Sequence, residues 1–68
     1  MYILVSCCEG NIIVRKYNAY DEAYASMKEE YEEFVADCEE CDEYGISSNT
    51  AYVTYEFYYR CDWHIEEL

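Results

Sequence analysis

The chain has 68 residues and a formal net charge of −12 at pH 7, from 16 acidic and four basic side chains. This charge disfavours direct binding to nucleic acid or to anionic lipid, and it favours cationic protein surfaces as partners. A hydrophobic content of 53%, which includes ten tyrosines, argues against a disordered chain. With no secretory signal and no apolar run long enough to span a membrane, we predict one soluble, cytoplasmic domain over residues 1–68.

The five cysteines do not predict a disulfide framework, because their number is odd and Cys7 and Cys8 are adjacent. In a cytoplasmic protein they are expected to be reduced thiols that act as small core residues.

The first 17 residues predict a β-hairpin. Met1 to Cys8 alternates two sets of side chains with the period of a strand, and Asn11 to Tyr17 is a second β-rich run. The loop between them is either Glu9-Gly10 or Gly10-Asn11. In either register, odd positions of the first strand share a face with even positions of the second. We predict that this face joins the core through Ile3, Val5, Ile12 and Val14.

The stretch from Asn18 to Gly45 predicts one long amphipathic helix, with Asn18 as its N-cap and Gly45 just beyond its C-terminus. An advance of about 100° per residue gathers nine residues into an arc roughly 120° wide, which is the predicted buried stripe. The stripe consists of Tyr20, Ala23, Tyr24, Met27, Tyr31, Phe34, Val35, Cys38 and Cys41.

Two further strands are predicted after the helix. Thr50 to Tyr59 alternates strictly, Arg60-Cys61-Asp62 is typical of a tight turn, and Trp63 to Leu68 forms a short last strand. The predicted fold class is α+β, in the order β-β-α-β-β, with an antiparallel sheet and the helix packed on one face. These strands are expected to bring Val53, Phe57, Trp63 and Ile65 to the core.

The acidic residues are concentrated in the predicted helix. Eleven of the 16 lie between positions 21 and 43, where Lys28 is the one cation. Like charges at i and i+4 destabilise a helix by roughly 0.2 to 0.5 kcal/mol per pair, and the C-terminal end of a helix favours cations. A run of charge is ordinarily a solvated helix face, and that interpretation stays open. The cost of this arrangement nevertheless indicates a functional role.

The spacing of these charges predicts a partner. A helix from Asp21 to Glu43 would be about 34 Å long, which gives roughly one carboxylate per 3 Å, close to the phosphate spacing of about 3.4 Å along one DNA strand. Such a face could bind a Lys/Arg groove built for DNA or RNA. The predicted partner-binding residues are Glu29, Glu30, Glu32, Glu33, Asp37, Glu39, Glu40 and Glu43.

A short, proline-free, acidic chain with an Asp/Glu-studded helix on a small sheet resembles the phage-encoded inhibitors that mimic nucleic acid, above all the anti-CRISPR proteins. The resemblance extends over the general form of the whole chain and includes no sequence motif. It implies a stoichiometric inhibitor that occupies the nucleic-acid channel of a CRISPR effector in the host cytoplasm.

An alternative is a non-catalytic interaction module, monomeric or dimeric, that binds a protein through the sheet face away from the helix. That face is predicted to be rich in tyrosine, and an exposed patch of this kind is typical of protein interfaces. Its members would be Tyr2, Leu4, Ile13, Tyr17, Tyr52 and Tyr58.

Two kinds of chemistry were also considered. Cys38, Cys41, Cys61 and His64 formally complete a zinc-ligand set, but each residue is equally compatible with a strand or core position, so we predict no metal and no cofactor. An enzyme is not predicted, because His64 has no nucleophile in a recognisable motif and two glycines cannot form a phosphate-binding loop.

Overall fold

The structure is a computed structural model that describes residues 1–56 and 59–68. Within these residues the chain forms β1 (Tyr2–Cys8), β2 (Asn11–Tyr17), α1 (Tyr20–Asp37), β3 (Cys41–Ile46), β4 (Thr50–Tyr55) and β5 (Tyr59–Glu67). The strands form one antiparallel sheet in the order β2-β1-β5-β4-β3, and α1 contacts every strand. The predicted α+β class is therefore confirmed, whereas the predicted β-β-α-β-β order lacks β3.

The first hairpin has the predicted strands. Cys8 pairs with Asn11, so the loop is Glu9-Gly10, one of the two alternatives. The φ angles of Glu9 and Gly10 are 51° and 87°. Two consecutive residues with positive φ are what a two-residue type I′ turn requires.

The face of this hairpin that packs under the helix is opposite to the predicted one. Leu4 is fully buried, whereas Ile12 and Val14 are 67% and 55% exposed. The prediction grouped the right residues on one face, since Val5 lies opposite Val14, but it assigned that face to the wrong side of the sheet. The residues wrongly assigned to the core are Ile3, Val5, Ile12 and Val14.

Strand β5 determines which face of β1 is buried. Its buried apolar residues alternate with polar or charged ones, so its inward face is unambiguous. The register places Leu4 opposite Ile65 and Ser6 opposite Trp63. The small Ser6 side chain leaves room for the indole ring, and the even positions of β1 therefore point to the helix.

The predicted tyrosine-rich outer face is also wrong. The Tyr17 hydroxyl donates to Ser26 Oγ on the helix at 2.8 Å, and the rings of Tyr2 and Tyr20 are 5.9 Å apart. Leu4 belongs to the core. Ile13 lies opposite Ser6 and shares its face. Of the predicted set, Tyr52 does face outward, with the Arg60 guanidinium 5.2 Å from its ring centre. Tyr58 lies outside the described residues.

The helix is shorter than predicted at both ends. It begins at Tyr20, and the N-cap position is Ala19 rather than Asn18, with no capping hydrogen bond from a side chain. It ends at Asp37, where the Cys38 N–H donates to the carbonyl oxygens of Phe34 and Val35 at 3.0 and 3.3 Å. The predicted stripe is buried or half-buried along this helix, but Cys41 is a strand residue.

Electrostatics explains the early end of the helix. Continuing it to Gly45 would place four more carboxylates near the negative end of the helix dipole, where they are destabilising. The chain instead forms β3, in which Gly45 lies opposite Tyr52. A Cβ at Gly45 would lie 3.1 Å from Cε1 of Tyr52, so this glycine allows a close strand contact and does not cap a helix.

The last two strands divide differently from the prediction. Strand β4 ends at Tyr55 and β5 begins at Tyr59, so the predicted turn at Arg60-Cys61-Asp62 is wrong. Trp63 and Ile65 are buried, as predicted, and so is Val53. Phe57 lies outside the described residues. The core cluster consists of Leu4, Ala23, Met27, Tyr31, Ala51, Val53, Cys61, Trp63 and Ile65.

Burial of Tyr31 against this core has a consequence at high pH. Burial raises the pKa of Tyr31 above the ordinary value of 10.0. The unfolded chain therefore loses this proton first, and the contribution of Tyr31 to stability, complete below pH 10, falls as the pH rises beyond it. We expect the urea midpoint to decrease between pH 9 and pH 11, and the decrease to be smaller in Tyr31→Phe. Equal decreases in both proteins would contradict this assignment.

Disulfide bonds join Cys8 to Cys61 and Cys38 to Cys41, and Cys7 is a free thiol. The prediction of five reduced thiols is therefore wrong for four of them. The first bond links neighbouring strands, because Cys8 and Cys61 are paired in the β1–β5 register. Disulfides persist in oxidising compartments, so these bonds give no support to the cytoplasmic prediction.

Candidate acidic binding surface

Four of the predicted partner-binding residues lie on the exposed side of α1. Met27 and Tyr31 pack on the sheet, so the opposite side of the helix points to solvent. The residues exposed there are Glu29, Glu32, Glu33 and Asp37. They extend over about 12 Å of helix, or roughly one carboxylate per 4 Å. A carboxylate spacing close to that of phosphates is therefore present over about a third of the predicted helix length.

Glu30 differs from its neighbours because it is paired. Its Oε2 atom lies 2.5 Å from Nη2 of Arg15 on β2, and the Ser26 hydroxyl donates to the same oxygen at 3.3 Å. The Glu30 side chain is 30% exposed. Its charge is largely neutralised within the chain, so Glu30 adds little to the field of the exposed face.

Glu39 and Glu40 follow the helix end. Both are exposed, in the short connector between Cys38 and Cys41. The Cys38–Cys41 disulfide closes this connector into a small loop directly after the helix. The loop keeps both carboxylates near Asp37, so the charge continues past the end of α1 although the helix does not.

Glu43 is separated from the other seven. It pairs with Thr54 on β4, and its N–H donates to Thr54 Oγ1 at 3.1 Å. The neighbouring Val53 is buried against the helix, so Thr54 and Glu43 belong to the outer face of the sheet. Glu43 therefore cannot act together with the helix residues on one flat partner, and the predicted row of eight carboxylates is wrong at this position.

We use the name acidic surface for the six exposed carboxylates that remain together at the C-terminal half of the helix and in the connector. They are Glu29, Glu32, Glu33, Asp37, Glu39 and Glu40. The predicted straight rod of about 34 Å is broken at Cys38. What the structure presents is a shorter and more compact field of negative charge at one end of the molecule.

An open cavity of about 620 Å³ lies inside this field, between the helix end and the end of β4. Phe34 and Tyr55 form its aromatic floor, with ring centres 5.2 Å apart. Carboxylates surround the floor: Asp37, Glu39, Glu40 and Glu56. An aromatic floor with an anionic rim suits a cationic side chain, above all a guanidinium group. Sequence reasoning missed this cavity, because Phe34 and Tyr55 meet only through the fold.

The Tyr55 hydroxyl lies 3.9 Å from Cys61 Sγ and stays protonated at neutral pH. Burial is the main cause that raises its pKa above 10.0, and the nearby Glu9 carboxylate adds to the effect. The Tyr55 ring therefore contributes an uncharged aromatic surface beside the carboxylates of the rim, which fits a ligand with both an apolar stem and a positive head.

The four residues considered for zinc are not brought together. Cys61 points to the core and is bonded to Cys8, whereas His64 lies on the outer face with Nε2 3.1 Å from Oε1 of Glu66. Over residues 1–56 and 59–68, no group of three or more His, Cys, Asp or Glu side chains could hold a metal ion. In the same residues, no helix has the length and apolar character needed to cross a membrane.

No protein-family model matches the chain, and neither curated proteins nor solved structures give a significant match. Interpretation of the acidic surface therefore depends on its own geometry and charge.

Proposed function

We propose that this chain is a non-catalytic inhibitor that places its acidic surface on the cationic nucleic-acid-binding site of another protein and excludes DNA or RNA from it. The observation that carries the proposal is the group of six exposed carboxylates on a helix end and its connector, beside an aromatic cavity. A Lys/Arg-lined groove would attract such a field strongly and rapidly at low ionic strength.

The acidic surface is held rigid before any partner arrives. Met27 and Tyr31 anchor the helix to the sheet, and the connector from α1 to β3 is only three residues long. A partner therefore loses little affinity to ordering of this segment. This rigidity distinguishes the surface from a disordered acidic tail, which must be ordered on binding.

The aromatic cavity adds a contact with one specific partner side chain to the electrostatic attraction of the acidic surface. An arginine of the partner could stack its guanidinium on Phe34 or Tyr55 and donate hydrogen bonds to Asp37 or Glu40. Arginine is common at nucleic-acid-binding sites because its planar group pairs with phosphate oxygens in the same way. Contacts of this kind commonly dominate an interface.

The resemblance to anti-CRISPR proteins gives the target class that we propose, a CRISPR effector of a bacterial host, with the inhibitor encoded by a phage and acting in the host cytoplasm. The acidic surface and the small α+β form support this choice. Other cationic nucleic-acid-binding proteins, such as polymerases and nucleases, present the same chemistry.

A capture experiment tests the proposal. Immobilised protein is exposed to a bacterial lysate, washed at 50 and 500 mM NaCl, and the retained proteins are identified by mass spectrometry. We expect nucleic-acid-binding proteins that are released by high salt and by added duplex DNA. Retention that salt and DNA leave unchanged would contradict a site that competes with phosphate.

Arg15 provides a smaller prediction. Replacing it in Arg15→Gln removes one positive charge and frees the Glu30 carboxylate, which then adds to the acidic surface. An exposed ion pair is worth roughly 0.2 to 1 kcal/mol, so affinity for the captured target should increase by at most about fivefold. Calorimetric titration of wild type and variant measures this change, and weaker binding by the variant would contradict the assignment.

A further inference from the structure

An open groove of about 460 Å³ lies between the C-terminal half of α1 and the β1–β2 hairpin. It is separate from the aromatic cavity, which lies between the helix end and β4. We use the name hairpin groove for it. Three residues of the sheet and three of the helix form its main lining: Ser6, Ile13, Trp63, Glu33, Phe34 and Asp37. The groove and the aromatic cavity therefore lie on opposite sides of the helix end.

The small side chain of Ser6 creates the floor of the hairpin groove. Ser6 lies between Ile13 of β2 and Trp63 of β5 in one row across the sheet, and directly opposite residues share a face. Ser6 and Trp63 are buried, whereas Ile13 is 55% exposed although it belongs to the helix side. The result is an apolar depression beside the helix that is open to a side chain of another molecule.

The helix rim of the hairpin groove is negatively charged. Glu33 and Asp37 are exposed one helical turn apart, and neither forms an ion pair within residues 1–56 and 59–68. Glu30, on the turn before, binds the Arg15 guanidinium at 2.5 Å. Arg15 is two residues from Ile13 on the same face of β2, so this ion pair closes one end of the groove. The same row of carboxylates therefore already accepts one guanidinium from the chain itself.

From this geometry we infer that the hairpin groove binds an arginine of the target protein, in addition to the one that the aromatic cavity binds. The inference rests on the proposed function. The aliphatic stem of the arginine would contact Ile13 and Phe34, and its guanidinium would donate hydrogen bonds to Glu33 or Asp37. Arginine suits this site better than lysine, because its planar group can pack on a ring and pair with a carboxylate together.

Two sites on opposite sides of one helix define a spacing in the target. A helix with its side chains is about 10 Å wide, so we expect the target to present two arginines about 10 Å apart. Each site has a carboxylate of its own, which is Glu33 in the hairpin groove and Glu40 in the aromatic cavity. The two contacts can therefore be removed one at a time.

Trp63 reports occupancy of the hairpin groove, because it lines the groove and is the single tryptophan of the chain. Its fluorescence is followed while hexylguanidinium, hexylammonium or hexanol is added. We expect a saturable change with hexylguanidinium at a concentration about tenfold below that needed for hexanol. Equal responses to these two compounds, or no saturable response, would overturn the inference. Binding of hexylammonium as tight as that of hexylguanidinium would assign a lysine and overturn the choice of arginine.

Matched variants locate the binding of hexylguanidinium. Ile13→Gln and Glu33→Gln should each weaken it about fivefold, because each removes one contact of the groove. Ile12→Gln is the control for the first, since Ile12 is 67% exposed on the opposite face of β2. Glu40→Gln is the control for the second, since Glu40 lines the aromatic cavity and not the groove. Equal effects of a variant and its control would overturn the inference.

The same variants, with folding checked by circular dichroism, distinguish this inference from the proposed function. If the captured target inserts an arginine into the groove, Ile13→Gln should weaken target binding about fivefold, and Ile12→Gln should leave it unchanged. Equal target binding by the two variants would overturn the second arginine site and leave capture by the acidic surface intact. Failure of the capture experiment would instead reject the proposed function, whereas the fluorescence titration needs no target and still tests the groove.

Discussion

Replacing both Cys8 and Cys61 with alanine is expected to lower the free energy of unfolding by about 4 kcal/mol. The two residues are 53 positions apart, so their bond closes most of the chain into one loop and removes much conformational freedom from the unfolded state. A domain of this size has a total stability of only roughly 3 to 10 kcal/mol. Urea unfolding, followed by the fluorescence of Trp63, measures the difference.

The second disulfide is the matched control for this prediction. Cys38 and Cys41 are only three positions apart, and the same loop-closure relation gives about 2 kcal/mol for their replacement with alanine. Thiol titration of the native protein should detect one reactive group, Cys7, and all five after denaturation with reductant. Five reactive thiols before reduction, or equal destabilisation by the two double variants, would contradict the assigned bonds.

Neutralising four carboxylates of the acidic surface is expected to weaken binding to the captured target by about 30- to 1,000-fold. The variant carries Glu32→Gln, Glu33→Gln, Asp37→Asn and Glu40→Gln. Exposed ion pairs contribute roughly 0.5 to 1 kcal/mol each, so four of them give about 2 to 4 kcal/mol. The fold should be kept, since removing like charges near the C-terminal end of the helix relieves repulsion. Calorimetry measures binding, and circular dichroism checks the fold.

A second variant distinguishes the effect of where the carboxylates lie from the effect of the total net charge. Asp21→Asn, Glu22→Gln, Glu66→Gln and Glu67→Gln also remove four exposed charges, but they lie at the helix N-terminus and at the end of β5. We expect a loss of less than threefold from this control at 150 mM salt, because screening confines each charge to its neighbourhood. Comparable losses in both variants would mean that net charge, and not the acidic surface, controls binding.

Local patterns in the sequence were sufficient for the parts of the fold that depend on neighbouring residues. The alternation from Tyr2 to Tyr17 predicted the hairpin, and the helical periodicity predicted the buried stripe from Tyr20 to Val35. The orientation of the hairpin was not predictable in this way, because both faces of β1 are apolar. It follows from pairing with β5, where Trp63 needs the space opposite Ser6.

The candidate site was predicted in part for a similar reason. Helical spacing was enough to place Glu29, Glu32 and Glu33 on one exposed side. The carboxylates after Asp37 would destabilise the C-terminal end of a longer helix, and the sequence analysis interpreted that cost as a sign of function. In the structure the helix avoids the cost by ending at Asp37. The cavity between Phe34 and Tyr55 depends on a contact between distant segments, and no local pattern in the sequence indicates it.

Competition with nucleic acid tests the central claim most directly. The affinity of the captured target for its DNA or RNA is measured at a series of concentrations of this protein. If the acidic surface occupies the nucleic-acid site, the apparent dissociation constant should increase linearly with protein concentration, without a plateau. A plateau would show that both ligands bind together, and an unchanged constant would show binding elsewhere; either result would contradict the account.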